Sequence, residues 1–358
     1  MFIQPRLRVR FGKDIKAMTI AEIAARAGVS AATISRVLNH PEVVQPETRE
    51  RVLSIMEECN YSPNWSARAL RMGKPGMIVL LVPGVENTFY QMIASGVETV
   101  TSAKSYTVAL CATHGDAKRE GDYLMRMADR QVDGFILVNS LLSTVQLKVL
   151  SERGIPTVHI GKRMDGACRC LCYIDHEEGV FKLMQHLLQL GHRRIALLLD
   201  PLARILEEQV RSGVSLSMLQ ASAETKPLFY SVENSVSGGF NAVKRMLAED
   251  KLPDAVIAGS TEQVMGVVHA AQSLGLSIPT ELAVACLSDA PVCSILVPPV
   301  TGIAQPVKRL GMMAARMLFD VMDSAELAEE LPQEITLKPK LQIRRSCGNT
   351  KYIYESLY

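Results

Sequence analysis

The sequence predicts an all-α helix-turn-helix headpiece followed by an α/β core of parallel sheets in two lobes. Three observations predict it. Two short helical patterns flank a glycine in the first forty residues. The remaining chain alternates apolar strand-like runs with amphipathic stretches, the signature of parallel sheets with right-handed crossovers. Finally, these runs are too numerous for one compact sheet.

In the headpiece, Ile20, Ile23, Ala24 and Ala27 recur at helical spacing, and Thr19 followed by Glu22 forms a capping box. Gly28 ends this helix because glycine enters the left-handed region cheaply. Val29 is an apolar plug, and Ser30 caps a second helix over 31–38 with Thr33, Ser35 and Arg36 on its outer side. Pro46 and Glu47 begin a third helix whose inner stripe is Val52, Ile55 and Met56. Two short helices around a tight glycine turn are the DNA-binding helix-turn-helix pattern, although A-x-x-A-G alone also suits an ordinary helical hairpin.

In the core, MIVLLVP, TVALCAT, GFILVNS, PTVHIGK, RIALLLD, LFYSVEN, DAVIAGS and LAVACLS read as strands. Helices are expected over 89–104, 119–130, 144–153, 177–190, 206–222, 237–249 and 262–274.

With 358 residues, 48% hydrophobic and 21% charged, the chain is an ordinary globular protein of two or three domains. It has no run of about 18 apolar residues and no secretory pattern near its start, so the expected location is cytoplasmic, with no membrane partner. Its eight cysteines are expected to be reduced there. Cys168, Cys170 and Cys172 alternate, which in a strand places them on one face as small buried or half-buried residues; a metal or redox site is the lesser alternative, because the spacing is not C-x2-C and no second cluster is obvious. Residues 1–75 carry 12 Lys/Arg against 7 Asp/Glu, and the rest 27 against 30. A basic head on a slightly acidic body points to a polyanionic partner, or to a solvated basic tail.

The stretch TIAEIAARAGVSAATISRVLNHPEVVQPETRERVLSIMEECNYSPNWSARALRMG resembles the lac/gal repressor family. The shared elements are A-G-V-S, T-I-S-R-V-L-N, V-x-P-E-T-R-x-R-V and N-Y-x-P-N-x-x-A-R-A-L. The resemblance implies that Ala31, Ala32 and Arg36 face base edges in the major groove. Arginine there can pair with guanine O6 and N7, whereas alanine offers apolar contact. Ser30, Thr33, Ser35 and Asn39 suit phosphate contacts, and Thr19, Asn64 and Ala67 join the DNA side. Asn64 to Arg71 resembles the family's hinge helix, too short to be stable alone, with Leu70 as a minor-groove wedge or as plain packing.

The resemblance runs to Arg345 and implies a two-lobed, type I periplasmic-binding-protein-like core. The expected divisions are a basic tail over 1–17, the headpiece over 18–62, a hinge over 63–75, the core over 76–345 and a tail over 346–358. Lobe one takes 76–173 and 302–330, lobe two 174–301 and 331–345, with crossings near Tyr173, Thr301 and Leu331.

It also implies an effector in the cleft between lobes, touched by Phe89, Tyr90, Ser140 and Arg204; core packing is the other role open to Phe89. Two family residues are absent. Val210 stands where sugar-binding members have arginine, with Arg211 one step out of register, and Thr261 stands where they have aspartate. The fork of guanidinium and carboxylate that would grip sugar hydroxyls is therefore missing.

The expected function is sequence-specific repression from a palindromic site by a homodimer under small-molecule control. Control by a protein partner, or no effector, is the alternative. A small-molecule carrier or an α/β enzyme ranks lower: no nucleophile, phosphate loop or metal motif appears, and no cofactor is expected. The C-terminal segment has no heptad pattern for a tetramerising coil, which leaves dimer and tetramer both open.

Overall fold

The structure, a computed structural model, describes residues 18–39, 41–59, 61, 75–161, 169–201, 204–221, 227–324 and 333–348. Internal contacts divide the chain between Pro75 and Gly76. Hinge residues 63–74 and Cys168 lie outside the described residues.

The first unit holds three helices: α1 (Ile20–Ala27), α2 (Ala31–Asn39) and α3 (Pro46–Glu58). Thr19 and Glu22 form the expected capping box, and Gly28 closes α1 at φ +65°. The Thr33 N–H donates to Ser30 Oγ at 3.1 Å and so starts α2. Pro46 opens α3 from a first-turn position, where proline's missing donor costs nothing. Ile23, Ala24, Ala27, Ile34, Val37, Val52 and Met56 form the core, with Val29, Ile55 and Tyr61 packed around it.

The second unit contains two six-stranded sheets. The first is built from β1 (Met77–Val82), β2 (Thr107–Ala112), β3 (Gly134–Val138), β4 (Thr157–Ile160), β5 (Cys170–Ile174) and β11 (Gln333–Leu337). Its order is β11-β5-β4-β3-β1-β2, and all its pairings are parallel. The second contains β6 (Ile195–Leu199), β7 (Leu228–Ser231), β8 (Ala255–Ala258), β9 (Ala283–Cys286), β10 (Thr301–Ala304) and β12 (Lys340–Gln342), in the order β12-β10-β9-β8-β6-β7. Only the β10–β12 pairing is antiparallel.

Around the first sheet lie α4 (Thr88–Ala103), α5 (Ala117–Ala128), α6 (Thr144–Glu152) and α12 (Val307–Asp323). Around the second lie α7 (His176–Gln189), α8 (Arg204–Ala221), α9 (Val236–Ala248), α10 (Thr261–Leu274) and the short α11 (Val292–Ile295). Each sheet is covered on both faces by apolar clusters, which is why its strands read as continuous apolar runs. Cys170 and Cys172 share one face of β5 in the first lobe's core.

Four features differ from the sequence reading. Helix α12 was not anticipated; it packs on α4 so closely that a Cβ at Gly311 would sit 2.3 Å from the Ile93 carbonyl oxygen. The segment 331–345 does not belong wholly to the second lobe. Its β11 pairs with β5 from Gln333↔Cys170 to Leu337↔Ile174, so the third crossing follows Leu337 rather than Leu331. The second crossing falls after β10, because Thr301–Ala304 pair within the second sheet. The first two residues of the expected tail are also core. Ser346 exchanges hydrogen bonds with Val284 and Thr301, and Cys347 is fully buried.

Candidate DNA-reading surface and ligand cleft

On α2 the apolar positions Ile34 and Val37 face the bundle, which turns Ala31, Ala32 and Arg36 outward; all three are exposed. Thr33 and Ser35 are half-buried at the edge of that face. Ser30 and Thr33 join their hydroxyls at 2.9 Å, and Thr19 is exposed while capping α1 through Glu22. Arg26 donates to Cys59 Sγ at 3.2 Å, tying α1 to α3. The Asn39 side chain and the whole of Asn64, Ala67 and Leu70 lie outside the described residues.

The cleft candidates gather at the carboxyl ends of strands, the usual ligand position in parallel sheets. After β1, Asn87 caps α4 by accepting from the Phe89 N–H at 2.8 Å. Phe89 and Tyr90 meet edge to face with centroids 5.5 Å apart, half-buried against the first lobe's core. The Tyr90 hydroxyl shares a hydrogen bond with Asn139, and the charge of Asp200, just past β6 in the other sheet, reaches it. Burial raises the Tyr90 pKa, the Asn139 bond opposes that rise, and Asp200 adds to it. The hydroxyl therefore stays protonated at neutral pH.

Asn139 follows β3 with φ +47°. A Cβ on Gly161 would stand 2.3 Å from Asn139 Oδ1, so only glycine leaves that amide its place. Ser140 is half-buried and turned partly inward. Its hydroxyl bonds the buried carboxylate of Glu120 and accepts from the Leu142 N–H at 3.2 Å. Glu120 also accepts from the Leu141 N–H at 2.9 Å.

In the second lobe Arg204 is the first residue of α8; its side chain lies outside the description. Val210 is fully buried in the core. Arg211 pairs with Glu207 at 2.7 Å and stacks 4.1 Å above the Phe229 ring. Thr261 opens α10, nearly buried, after the Ser260 cap. Gln263 locks this end: it accepts from the Gly259 N–H at 2.9 Å and donates to the Val232 and Glu233 carbonyls. Beyond β7, Asn234 Oδ1 is buried without a hydrogen-bond partner. Sequence reading missed Asn139, Asp200, Asn234 and Gln263. The one available signal was that each is a polar residue soon after a strand. An open groove of about 610 Å³ lies between α7 and α8, lined by Asp175, Glu177, Phe181 and Leu219.

Residues 19–64 match the model of bacterial regulatory proteins of the lacI family, and residues 184–347 that of the periplasmic binding protein-like domain. The chain is 31% identical over 346 residues to the HTH-type transcriptional repressor PurR of Proteus mirabilis, covering 94% of this chain and 98% of that protein. This chain belongs to the lacI family. A second relative, catabolite control protein A of Priestia megaterium, is 28% identical over 332 residues, which are 92% of this chain and 99% of that protein. A crystal structure of the lac repressor dimer bound to operator and the anti-inducer ONPF superposes with a TM-score of 0.80 at 22% identity, over 93% of this chain and 99% of that one. It shares the fold. As a lacI-family member the chain is a DNA-binding transcriptional regulator and not an enzyme. Among the described residues no helix is long and apolar enough to cross a membrane.

Proposed function

We propose that the chain is a homodimeric cytoplasmic repressor that reads a palindromic operator through α2 and is switched by a small molecule between its two lobes. The observation that carries the reading is the outward face of α2. Ala31, Ala32 and Arg36 stand exposed on a helix whose opposite side is locked into a three-helix core. Paired units of this kind meet half-sites one helical turn apart, so a palindrome mirrors the protein's two-fold axis. Exposed apolar residues support the dimer: Ile295 and Val297 are 75% and 74% exposed, and Gln272 of α10 donates to the Val297 carbonyl beside them. Leu70 acts as the minor-groove wedge of the same reader.

The effector follows from what lines the cleft. Without an arginine at 210 or an aspartate at 261, the fork for sugar hydroxyls is absent. In its place stand an aromatic pair, the Asn139 amide and the Asp200 carboxylate. Asn234 Oδ1 adds an acceptor at the same end of the second sheet. This set suits a planar molecule with N–H or O–H donors, such as a nucleobase. Closure of the lobes on it shifts the population that binds DNA.

The test uses the full chain on duplexes selected from random palindromes. Expected are dimers, a preference for one palindrome and steep salt dependence. Thermal shift with nucleobases, nucleosides, sugars and amino acids identifies the effector; at 100 times Kd, binding stabilises by about 2.7 kcal/mol. A monomer at micromolar concentration without sequence preference overturns the reading. Unchanged affinity and unchanged bend in Leu70→Ala remove the wedge.

A further inference from the structure

Cys286 and Cys293 are far apart in function from the cleft side chains above, yet close in space. Cys286 ends β9, and Cys293 lies in α11, where both side chains are fully buried. The two sulfurs are close enough for each to bias the other's ionisation. They also share one residue: the Ser288 N–H donates to Cys286 Sγ at 3.4 Å, and Cys293 Sγ donates to the Ser288 carbonyl at 3.8 Å. Cys286 donates in turn to the Ser260 carbonyl at 3.4 Å. Ser260 is the cap of α10, and Thr261 follows it. Packing needs none of this sulfur pairing, since a single small apolar side chain at either position would fill a core.

We propose that Cys286 and Cys293 form a reversible dithiol–disulfide couple that answers peroxides and adjusts the cleft end of α10. Cys293 is the attacking sulfur. Interaction with the neighbouring Cys286 thiol holds its pKa below the ordinary thiol value, against its own burial, and the thiolate is the nucleophile. In the first step Cys293 attacks one oxygen of a hydroperoxide, the O–O bond breaks, and an alcohol, or water from hydrogen peroxide, leaves with the thiol proton. Cys293 is then a sulfenic acid. In the second step Cys286 attacks that sulfur, the S–OH bond breaks, and hydroxide departs with the Cys286 proton as water. In sum two thiols and one hydroperoxide give a disulfide, an alcohol and water.

Closing the bond draws the sulfurs to about 2.05 Å. Cys286 then has no S–H to give the Ser260 carbonyl, and the cap of α10 is released on that side. Cys293 also lies two residues before the exposed Ile295, so the same contraction pulls on that apolar edge. Disulfides in reducing compartments are usually transient sensors rather than structural bonds.

The experiment treats the reduced full chain with graded hydrogen peroxide, blocks free thiols after denaturation, and maps linked peptides by mass spectrometry. Cys347 serves as the internal control: it is equally buried but bonded to His186 and Thr301. Expected is a Cys286–Cys293 peptide pair lighter by two hydrogens, formed at a peroxide dose roughly ten-fold below that which modifies Cys347, and reopened by dithiothreitol. In Cys286→Ser, dimedone should label Cys293. If that variant does not fold, the mapping on the unaltered chain decides alone. Free Cys286 and Cys293 at doses that oxidise Cys347, or pairing of either with another cysteine, overturns the proposal.

Discussion

Tyr90 and Asn139 are joined by a hydrogen bond between the first turn of α4 and the end of β3. Asn139 can make it because its backbone sits at φ +47°, a region open to asparagine and costly for most other side chains. The Tyr90 ring is braced edge-on by Phe89. Two residues about fifty positions apart thus form one wall of the proposed ligand site.

Substitution at Asn139 separates backbone from side chain. Asn139→Ala loses the amide and strains the turn, while Asn139→Gly loses only the amide. Alanine should therefore lower stability by about 1 kcal/mol more than glycine, read as the difference between their thermal midpoints. Tyr90→Phe should cost about 1 kcal/mol for the lost bond. All three should weaken binding of the effector found by thermal shift. Equal melting of the two Asn139 variants would show that the turn stores no strain.

Arg36 is the exposed guanidinium on the outer face of α2. Its proposed bidentate pairing with guanine predicts a loss of about 1–3 kcal/mol in operator affinity for Arg36→Ala, with relaxed choice at one base pair. Arg36→Lys should recover charge but not the fork, and so remain poorly selective. The thermal midpoint should not move, because the residue packs against nothing in the core. Anisotropy on duplexes carrying single base changes measures this. A uniform loss across all duplexes would reassign Arg36 to a phosphate.

Much of this was legible locally. The Thr19–Glu22 box, the Gly28 stop and the inward stripe of α3 are short-range patterns, and they form as read. Strand-helix alternation likewise foretold two parallel sheets. Val210 and Arg211 were readable as a register shift, and the structure places one inside the core and the other over Phe229. Sheet membership was not legible. QEITL joins β5 rather than the second lobe because the β5 edge is open to it, and that edge is built more than 150 residues earlier. The meeting of Tyr90, Asn139 and Asp200 has the same character: three strand ends, separate in sequence, converge only when the lobes fold.

His159 lies in the middle of the first sheet, on β4 between Leu137 and Leu171, and is buried. Burial alone pulls its imidazole down to about 4 from an ordinary 6.5. The folded protein thus favours the neutral ring more than the unfolded chain does. Its contribution is present in full above pH 6.5 and is lost as pH falls through 6.5 towards 4. Over that window the loss is on the order of 3 kcal/mol. Denaturant melts of His159→Leu should show a flatter acid limb than the unaltered chain, with the curves diverging between these values. Parallel acid limbs would mean that the ring is already charged in the folded state.

Glu120 presents the opposite sign. Burial pushes its carboxyl above the usual range, and the bonds from Ser140 and the Leu141 N–H only partly oppose this. The folded state therefore favours the protonated acid. That stability is present below the ordinary carboxylate pKa and is lost as pH rises through the raised one. At neutral pH the charge is a burden that Glu120→Gln removes. Its amide oxygen can still accept from the Leu141 N–H, and its NH₂ can donate to Ser140 Oγ. The variant should be more stable at pH 8 by roughly 1 kcal/mol, or about 2–4 °C in Tm, and no more stable at pH 4. Paired melts at the two pH values decide it. A variant less stable at both would show that the ionised carboxylate, held by its two donors, is what fixes the loop carrying Ser140 beside the cleft.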